Sequence, residues 1–259
     1  MEWWHYVVAV LGSAFAGAIN TFAGNGSAIT LTILTELLQL PGNMANGTNR
    51  IGVFSQTVLG SWAFYRNGKL DLSRGWPYLL PTIIGAIAGG VVAIWVSNEQ
   101  FRQVFRFMMI FMLLVILVKP KRWLRPSDTS FRMNPFLAVP LFLLLGFYGG
   151  FIQMGMGIFF LALMVLGARY SIIESNAMKL FVVGVYTVFI IGLFQWRGLI
   201  HWPIGLLMAV GQGFGGWATA VFAARYPKAD VLAYWMLVIV VIAALFMLFD
   251  VPELLFRLM

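Results

Sequence analysis

Eight mostly apolar stretches fill most of this chain, at roughly residues 3–23, 43–65, 76–97, 101–118, 135–154, 172–194, 203–224 and 229–249. A bilayer-spanning helix needs about 20 such residues, and all but the slightly short 101–118 stretch reach that length. In hydrocarbon every backbone polar group must be satisfied internally, so spans are helices or strands of closed barrels; stretches this long predict helices. Composition agrees: 61% of residues are hydrophobic, 10% are charged and the mean hydropathy is +0.89, where soluble domains carry about 25% charge. The chain reads as an all-α, polytopic transmembrane bundle in one continuous membrane domain, with the lipid bilayer as its first partner.

A net charge of +8 would suggest nucleic acid in a soluble chain. Here the basic residues sit in short loops between spans, so orientation in the membrane explains them and no nucleic-acid partner is expected. The N-terminal MEWWHYVVAV carries an acid and no Lys or Arg, which does not match a cleaved signal peptide. It is expected to be the first span, with Trp3 and Trp4 at an interface. There is no cysteine, hence no disulfide, thiolate metal site or thiol nucleophile. His5 and His201 read as interfacial.

Two further apolar segments, 27–40 and 157–168, are too short to span. About 14 and 12 residues make roughly 20 Å of helix at about 1.5 Å per residue. Each follows a glycine break, Gly24-Asn25-Gly26 or Gly155-Met156-Gly157, and reads as a half-helix or one arm of a re-entrant hairpin. The breaks recur at a shift of about 130 with a one-residue slip. The same shift puts Asn46 on Asn176, Asn49 on Lys179 and Gly68 on Gly198, while Gly85, Gly89 and Gly90 match Gly211, Gly215 and Gly216 at a shift of 126. An internal repeat follows, with residues 1–118 as the first transmembrane repeat, 119–134 as a basic cytoplasmic linker and 135–259 as the second repeat. Each repeat makes an odd number of crossings, so the two are expected to be inverted. With the linker placed in the cytoplasm, eleven bases collect on that side and four outside, and both termini fall outside. The location expected is the cell (inner) membrane.

Polar residues recur at helical spacing inside the membrane segments. Asn46, Asn49, Val53 and Gln56 share one face of the third segment, and Asn176, Lys179, Val183 and Tyr186 share the corresponding face in the second repeat. Arg50 stands one residue off the first stripe. Arg50 and Lys179 lie about seven residues into their helices, roughly 10 Å deep from opposite faces. A cation at that depth costs about 2.5–3.5 kcal/mol even on the gentler scales, so it calls for a polar cavity and a partner. Neither stripe carries an acid; Glu36 and Glu174 lie toward helix ends and are the candidates for ion coupling. Two deep cations without a carboxylate suggest an anion. The half-helix starts at Gly26, Ser27 and Gly157 add unpaired N–H groups, and Asn20, Asn25 and Gln153 add neutral polar groups.

Each of these features also has a plainer reading. The Gly-xxx-Gly pairs at Gly85/Gly89 and Gly211/Gly215 fit close helix packing, and that reading is preferred. A Gly-x-Gly break can be a simple kink, Arg50 and Lys179 can snorkel to the interface, and Asn46 and Asn176 can join helices by hydrogen bonds. Glu36 and Glu174 can be ordinary helix-end charges.

The pattern AGAINTFAGNGSAITLTI, a short segment, ANGTNRIGV and then FYRNGKLD resembles the sulfite exporter TauE/SafE family of membrane permeases. The second half repeats it as GFYGGFIQMGMGIFFLALMVLG, ESNAMKL and QWRGLIHWP, so the likeness runs from about residue 8 to 249. It implies transport of a small sulfur-containing anion such as sulfite or an organosulfonate, driven by an ion gradient. This chain departs from the family pattern at Gly24-Asn25-Gly26 and at residues 153–157, where glycine-rich stretches are common, and at Asn49 and Lys179, where small hydroxyl residues are common.

The expectation is a secondary transporter with one anion site near the bilayer centre and no cofactor or metal. A passive anion channel on the same scaffold is the alternative. An intramembrane enzyme is disfavoured, because Ser27 has no base in reach and there is no metal-ligand cluster. A non-transporting assembly subunit is likewise disfavoured, and a second copy of the chain is a candidate partner in a homo-oligomer.

Overall fold

The computed structural model describes residues 3–95, 120–128, 130–151 and 153–248, and among these it contains helices and no strands. In the first half α1 (Trp3–Ala23) is followed by α2 (Gly26–Thr32), which runs into a π-helical turn at Ile33–Leu37, then by α3 (Gly42–Arg66) and α4 (Leu72–Ala93). A short helix, α5 (Pro120–Trp123), stands in the linker. The second half gives α6 (Pro135–Phe151), α7 (Met156–Ala162) with a π-helical turn at Leu163–Gly167, α8 (Ile172–Trp196), α9 (Trp202–Arg225) and α10 (Ala229–Leu248). The expected span at 101–118 lies outside the described residues.

The two halves repeat in backbone detail as well as in order. Left-handed residues recur in pairs at Gly24 and Gly155, Gln39 and Arg169, and Gly68 and Gly198. α3 and α8 end in the same double cap. The N–H groups of Gly68 and Lys69 bond to the carbonyls of Tyr65 and Phe64, and those of Gly198 and Leu199 bond to the carbonyls of Gln195 and Phe194. A Gly in the left-handed conformation after the last turn is the usual way to satisfy these carbonyls.

α1 and α2 form a hairpin. A Cβ on Gly26 would strike the carbonyl of Ala16 and sit 2.6 Å from Cβ of Asn20, and one on Gly12 would lie 2.5 Å from Ile33, so α2 runs back along α1. α6 and α7 do the same, with the Tyr148 ring packed edge-on to Phe159 at 5.5 Å and the Tyr148 hydroxyl donating to the Met154 carbonyl at 2.8 Å. Each return arm has twelve residues to the end of its π-helical turn, about 18 Å of helix against a hydrocarbon core of about 30 Å. These arms are re-entrant in shape.

α3 and α8 cross antiparallel: Arg50 faces Phe194, Thr57 lies against Gly184 and Gly60 against Leu180. The Gly-xxx-Gly pairs pack as expected. Cβ atoms at Gly85 and Gly89 would collide with the carbonyls of Leu143 and Phe147 on α6, and at Gly211 and Gly215 with those of Val10 and Ala14 on α1. α4 with α6, and α1 with α9, are thus equivalent close pairs that join one half to the other. Without a hydrophobic drive between helices in lipid, such backbone approach supplies much of the association.

α3 is the least apolar of the long helices. It is 25 residues long but is absent from the helices apolar enough to cross a membrane by composition, which are α1, α4, α8 and α9. Its residues Ala45–Val53 are all buried. The polar stripe therefore faces protein, as irregular polarity at membrane depth requires.

Candidate functional site

Both breaks come together at one point. A Cβ on Gly24 would lie 2.7 Å from Cα of Gly157, and one on Gly157 would lie 2.5 Å from Cα of Gly24. The tips of the two hairpins thus touch backbone to backbone, and only glycine permits the approach at either position. Gly24 also holds φ at +83°, a conformation other residues rarely adopt.

Around this contact lies a small cavity. The first hairpin contributes Asn20, Gly24 and Ser27, and the second contributes Gln153, Met156 and Gly157. Thr57 from α3 and Lys179, Leu180, Val183 and Tyr186 from α8 complete the wall. The volume is about 10 Å³, about what one water needs and too little for a polyatomic anion. The side-chain oxygens of Asn25, beside the cavity, and of Gln153, in its wall, are buried without hydrogen-bond partners.

Lys179 and Arg50 are fully enclosed, with 2% and 0% of their surface exposed, so neither snorkels. Their partners are main-chain carbonyls of the opposite half, joined at Lys179 by the side chain of Asn176. The Lys179 ammonium donates to the carbonyls of Asn20 (2.7 Å) and Thr21 (3.3 Å) and to Oδ1 of Asn176 (2.5 Å), which uses all three of its donors. Asn176 in turn donates to the carbonyl of Phe22 at 3.0 Å. Arg50 donates to the carbonyls of Gly149 (3.3 Å) and Gly150 (3.0 Å) at the end of α6, with its guanidinium 5.9 Å from the Phe194 ring. Each cation thus sits at the C-terminal, negative end of the other half's first helix, where positive charge is favoured. The missing carboxylates are accounted for by helix ends.

The remaining polar residues knit α1, α2, α3 and α9 together. Asn20 donates to Gln56 at 3.0 Å, Gln56 donates to Thr21 at 3.1 Å, and Thr30 donates to Asn49 at 2.7 Å. Nε2 of Gln212 on α9 reaches the same Asn49 oxygen at 3.4 Å. Asn46 is buried, and its side-chain oxygen has no hydrogen-bond partner.

Of the residues singled out from sequence, Asn20, Ser27, Gln153, Gly157 and Lys179 line the cavity. Asn25 and Gly26 belong to the adjoining turn, and Asn176 holds the Lys179 ammonium from behind. Asn46, Asn49 and Arg50 do not line it, although Arg50 lies close to Tyr186 in its wall. Glu36 is exposed on the first π-helical turn, and Glu174 sits in the first turn of α8, bonded to Ser127; the structure brings neither to the cavity. Thr57 and Gln212 escaped sequence reasoning. Thr57 stands one position past the stripe that ends at Gln56, and Gln212 is a lone amide between glycines in an apolar helix, a signal that deserved weight.

Apolar helices wrapped around two broken hairpins that meet at a buried polar centre define a polytopic membrane protein of the transporter class. The sulfite exporter TauE/SafE family matches residues 9–247, and the chain belongs to that family. It is 28% identical over 227 residues to a protein of Sinorhizobium sp named a probable membrane transporter, covering 87% of this chain and 84% of that one. A second protein so named, from Haemophilus influenzae, is 26% identical over 202 residues, covering 77% and 78%. No solved structure matches the chain significantly.

Proposed function

We propose that this protein is a secondary transporter for a small sulfur-containing anion of the sulfite or organosulfonate type, driven by an ion gradient across the cell membrane. The observation that carries this reading is the contact of the two glycine breaks beside the Lys179 ammonium. The family supports the substrate class, through the sulfite named in its description.

In this reading the anion binds at the hairpin tips. Ser27 and the N–H groups at the starts of α2 and α7 receive its oxygens, Asn20, Asn25 and Gln153 orient it, and Lys179 supplies charge. Every Lys179 donor is already in use, so the anion must draw at least one of them away from the end of α1 or from Asn176. Where an α1 carbonyl is the partner given up, binding loosens the link between α1 and α8 and enlarges the small cavity, with the glycine breaks as hinges. Arg50, Asn49 and Asn176 hold the surrounding helices, and Asn46 stands buried on the same helix as Arg50 and Asn49.

The two halves act as inverted repeats moving against each other; the antiparallel crossing of α3 with α8 supports this. The basic linker faces the cytoplasm and both termini lie outside, in keeping with the charge bias of the loops. The test is uptake into proteoliposomes under an imposed proton or sodium gradient. Accumulation of sulfite or a sulfonate against its own gradient is expected, and strictly downhill flux would favour the channel reading.

A further inference from the structure

A second, larger cavity of about 800 Å³ lies far along the sequence from the hairpin tips, in the linker between the two halves. Its described wall carries four cations, Lys121, Arg122, Arg125 and Arg169, against a single acid, Asp128, with Pro126 and Leu166 forming an apolar side. Asp128 is already engaged, accepting from Arg169 at 3.1 Å and from Ser130. The charge in the pocket therefore remains strongly positive.

The wall is built rather than loose. The Asp128 N–H bonds to the Arg169 carbonyl at 2.9 Å, Arg74 donates to the Asp128 carbonyl at 3.0 Å, and the Ser171 N–H bonds to Ser127 at 2.7 Å. Those bonds fix residues 127–128 onto the start of α8. Arg122 is half-buried at the end of α5, and its Nη2 is shut off from solvent without a hydrogen-bond partner. Its guanidinium is held below the usual arginine range by burial first and by repulsion from Arg169 and Arg125 second. Crowded cations with an unfilled donor are costly by themselves and are relieved by an anion that accepts from several guanidinium groups at once.

We propose that this pocket is a binding site for a phosphate group, with Arg122 and Arg125 as its principal donors and Lys121 as added charge. The shared chemistry is a phosphate mono- or diester anion, and the apolar side formed by Pro126 and Leu166 suits the glycerol end of an anionic phospholipid. Such basic pockets beside membrane helices hold lipid headgroups, and Arg matches phosphate oxygens with paired donors.

The experiment uses the full-length protein in phosphatidylcholine nanodiscs. Thermal unfolding is followed as phosphatidylglycerol is added to the lipid in one arm and inorganic phosphate to the buffer in the other. The wild-type Tm is expected to rise with phosphatidylglycerol, and R122Q/R125Q is expected to need roughly tenfold more ligand or greater for each guanidinium removed, with R122K/R125K partly restoring the response. If R122Q/R125Q fails to fold, K121Q/R125Q, which alters exposed positions only, carries the same comparison. A response confined to the phosphate arm, with the same dependence on the variants, assigns the site to a soluble phosphate compound. The proposal is overturned if neither probe raises the Tm, or if the variants respond as the wild type does.

Discussion

Lys179 and Arg50 hold equivalent places in the two halves, and they differ in what lies beside them. Each leaves the middle long helix of its own half and caps the broken first helix of the other. Arg50 meets two successive carbonyls and a phenyl ring and does not itself line the cavity, although it lies close to Tyr186, which does. Lys179 forms part of the cavity wall and shares its three bonds among two carbonyls and one amide. A planar guanidinium suits a fixed clamp, whereas an ammonium on a flexible stem can exchange partners. The same device can thus serve as a structural tie in one half and as a switchable anion contact in the other.

Removing the switchable contact should have the largest effect. Lys179→Met is expected to weaken anion binding by about ten- to a hundredfold, the worth of one charge-assisted hydrogen bond, read by titration calorimetry with sulfite or a sulfonate. Gly24→Ala comes next. Its Cβ would press on Gly157 in a left-handed backbone, and overpacking plus strain cost roughly 2–4 kcal/mol. Denaturant titration in mixed micelles checks this against Gly192→Ala, which has nothing within 4 Å and should be neutral or slightly stabilising.

Arg50→Met should sharpen the contrast from the other side. It leaves the α6 carbonyls without their caps and is expected to cost about 1–3 kcal/mol of stability, while anion affinity changes by less than about threefold in the same calorimetric assay. The smallest effect concerns the tips. Asn25→Met makes the first break resemble the second, where Met156 stands, and should lower anion affinity by a few-fold. A larger loss for Met156→Asn than for Asn25→Met would contradict the assignment of Asn25 as a group that orients the anion.

Much of this arrangement could be read from residues. The glycine breaks, the short arms and the pairing of Gly68 with Gly198 came from spacing, and hydropathy located the described spans to within a few residues. The partners of Arg50 and Lys179 could not be read that way. Carbonyls occur at every position, so a stripe shows which face is polar but not whose helix end it meets. The alignment also set Asn49 opposite Lys179, whereas by contacts Arg50 is the counterpart and Asn49 instead accepts from Thr30. A one-residue slip turns a side chain by about 100° on a helix, and that turn separates a cap from a tie. The re-entrant shape of α2 and α7 needed the packing of Gly12 on Ile33 and of Tyr148 on Phe159, which local sequence does not encode.

The most direct test of an anion site at the hairpin tips is the anion-induced shift in thermal unfolding for wild type, Lys179→Met and Arg50→Met. The panel is sulfite, thiosulfate, organosulfonates and carboxylates. At least one sulfur oxyanion should raise the wild-type Tm; Lys179→Met should lose that rise, and Arg50→Met should keep it from a lower starting Tm. A full rise retained in Lys179→Met would contradict the account.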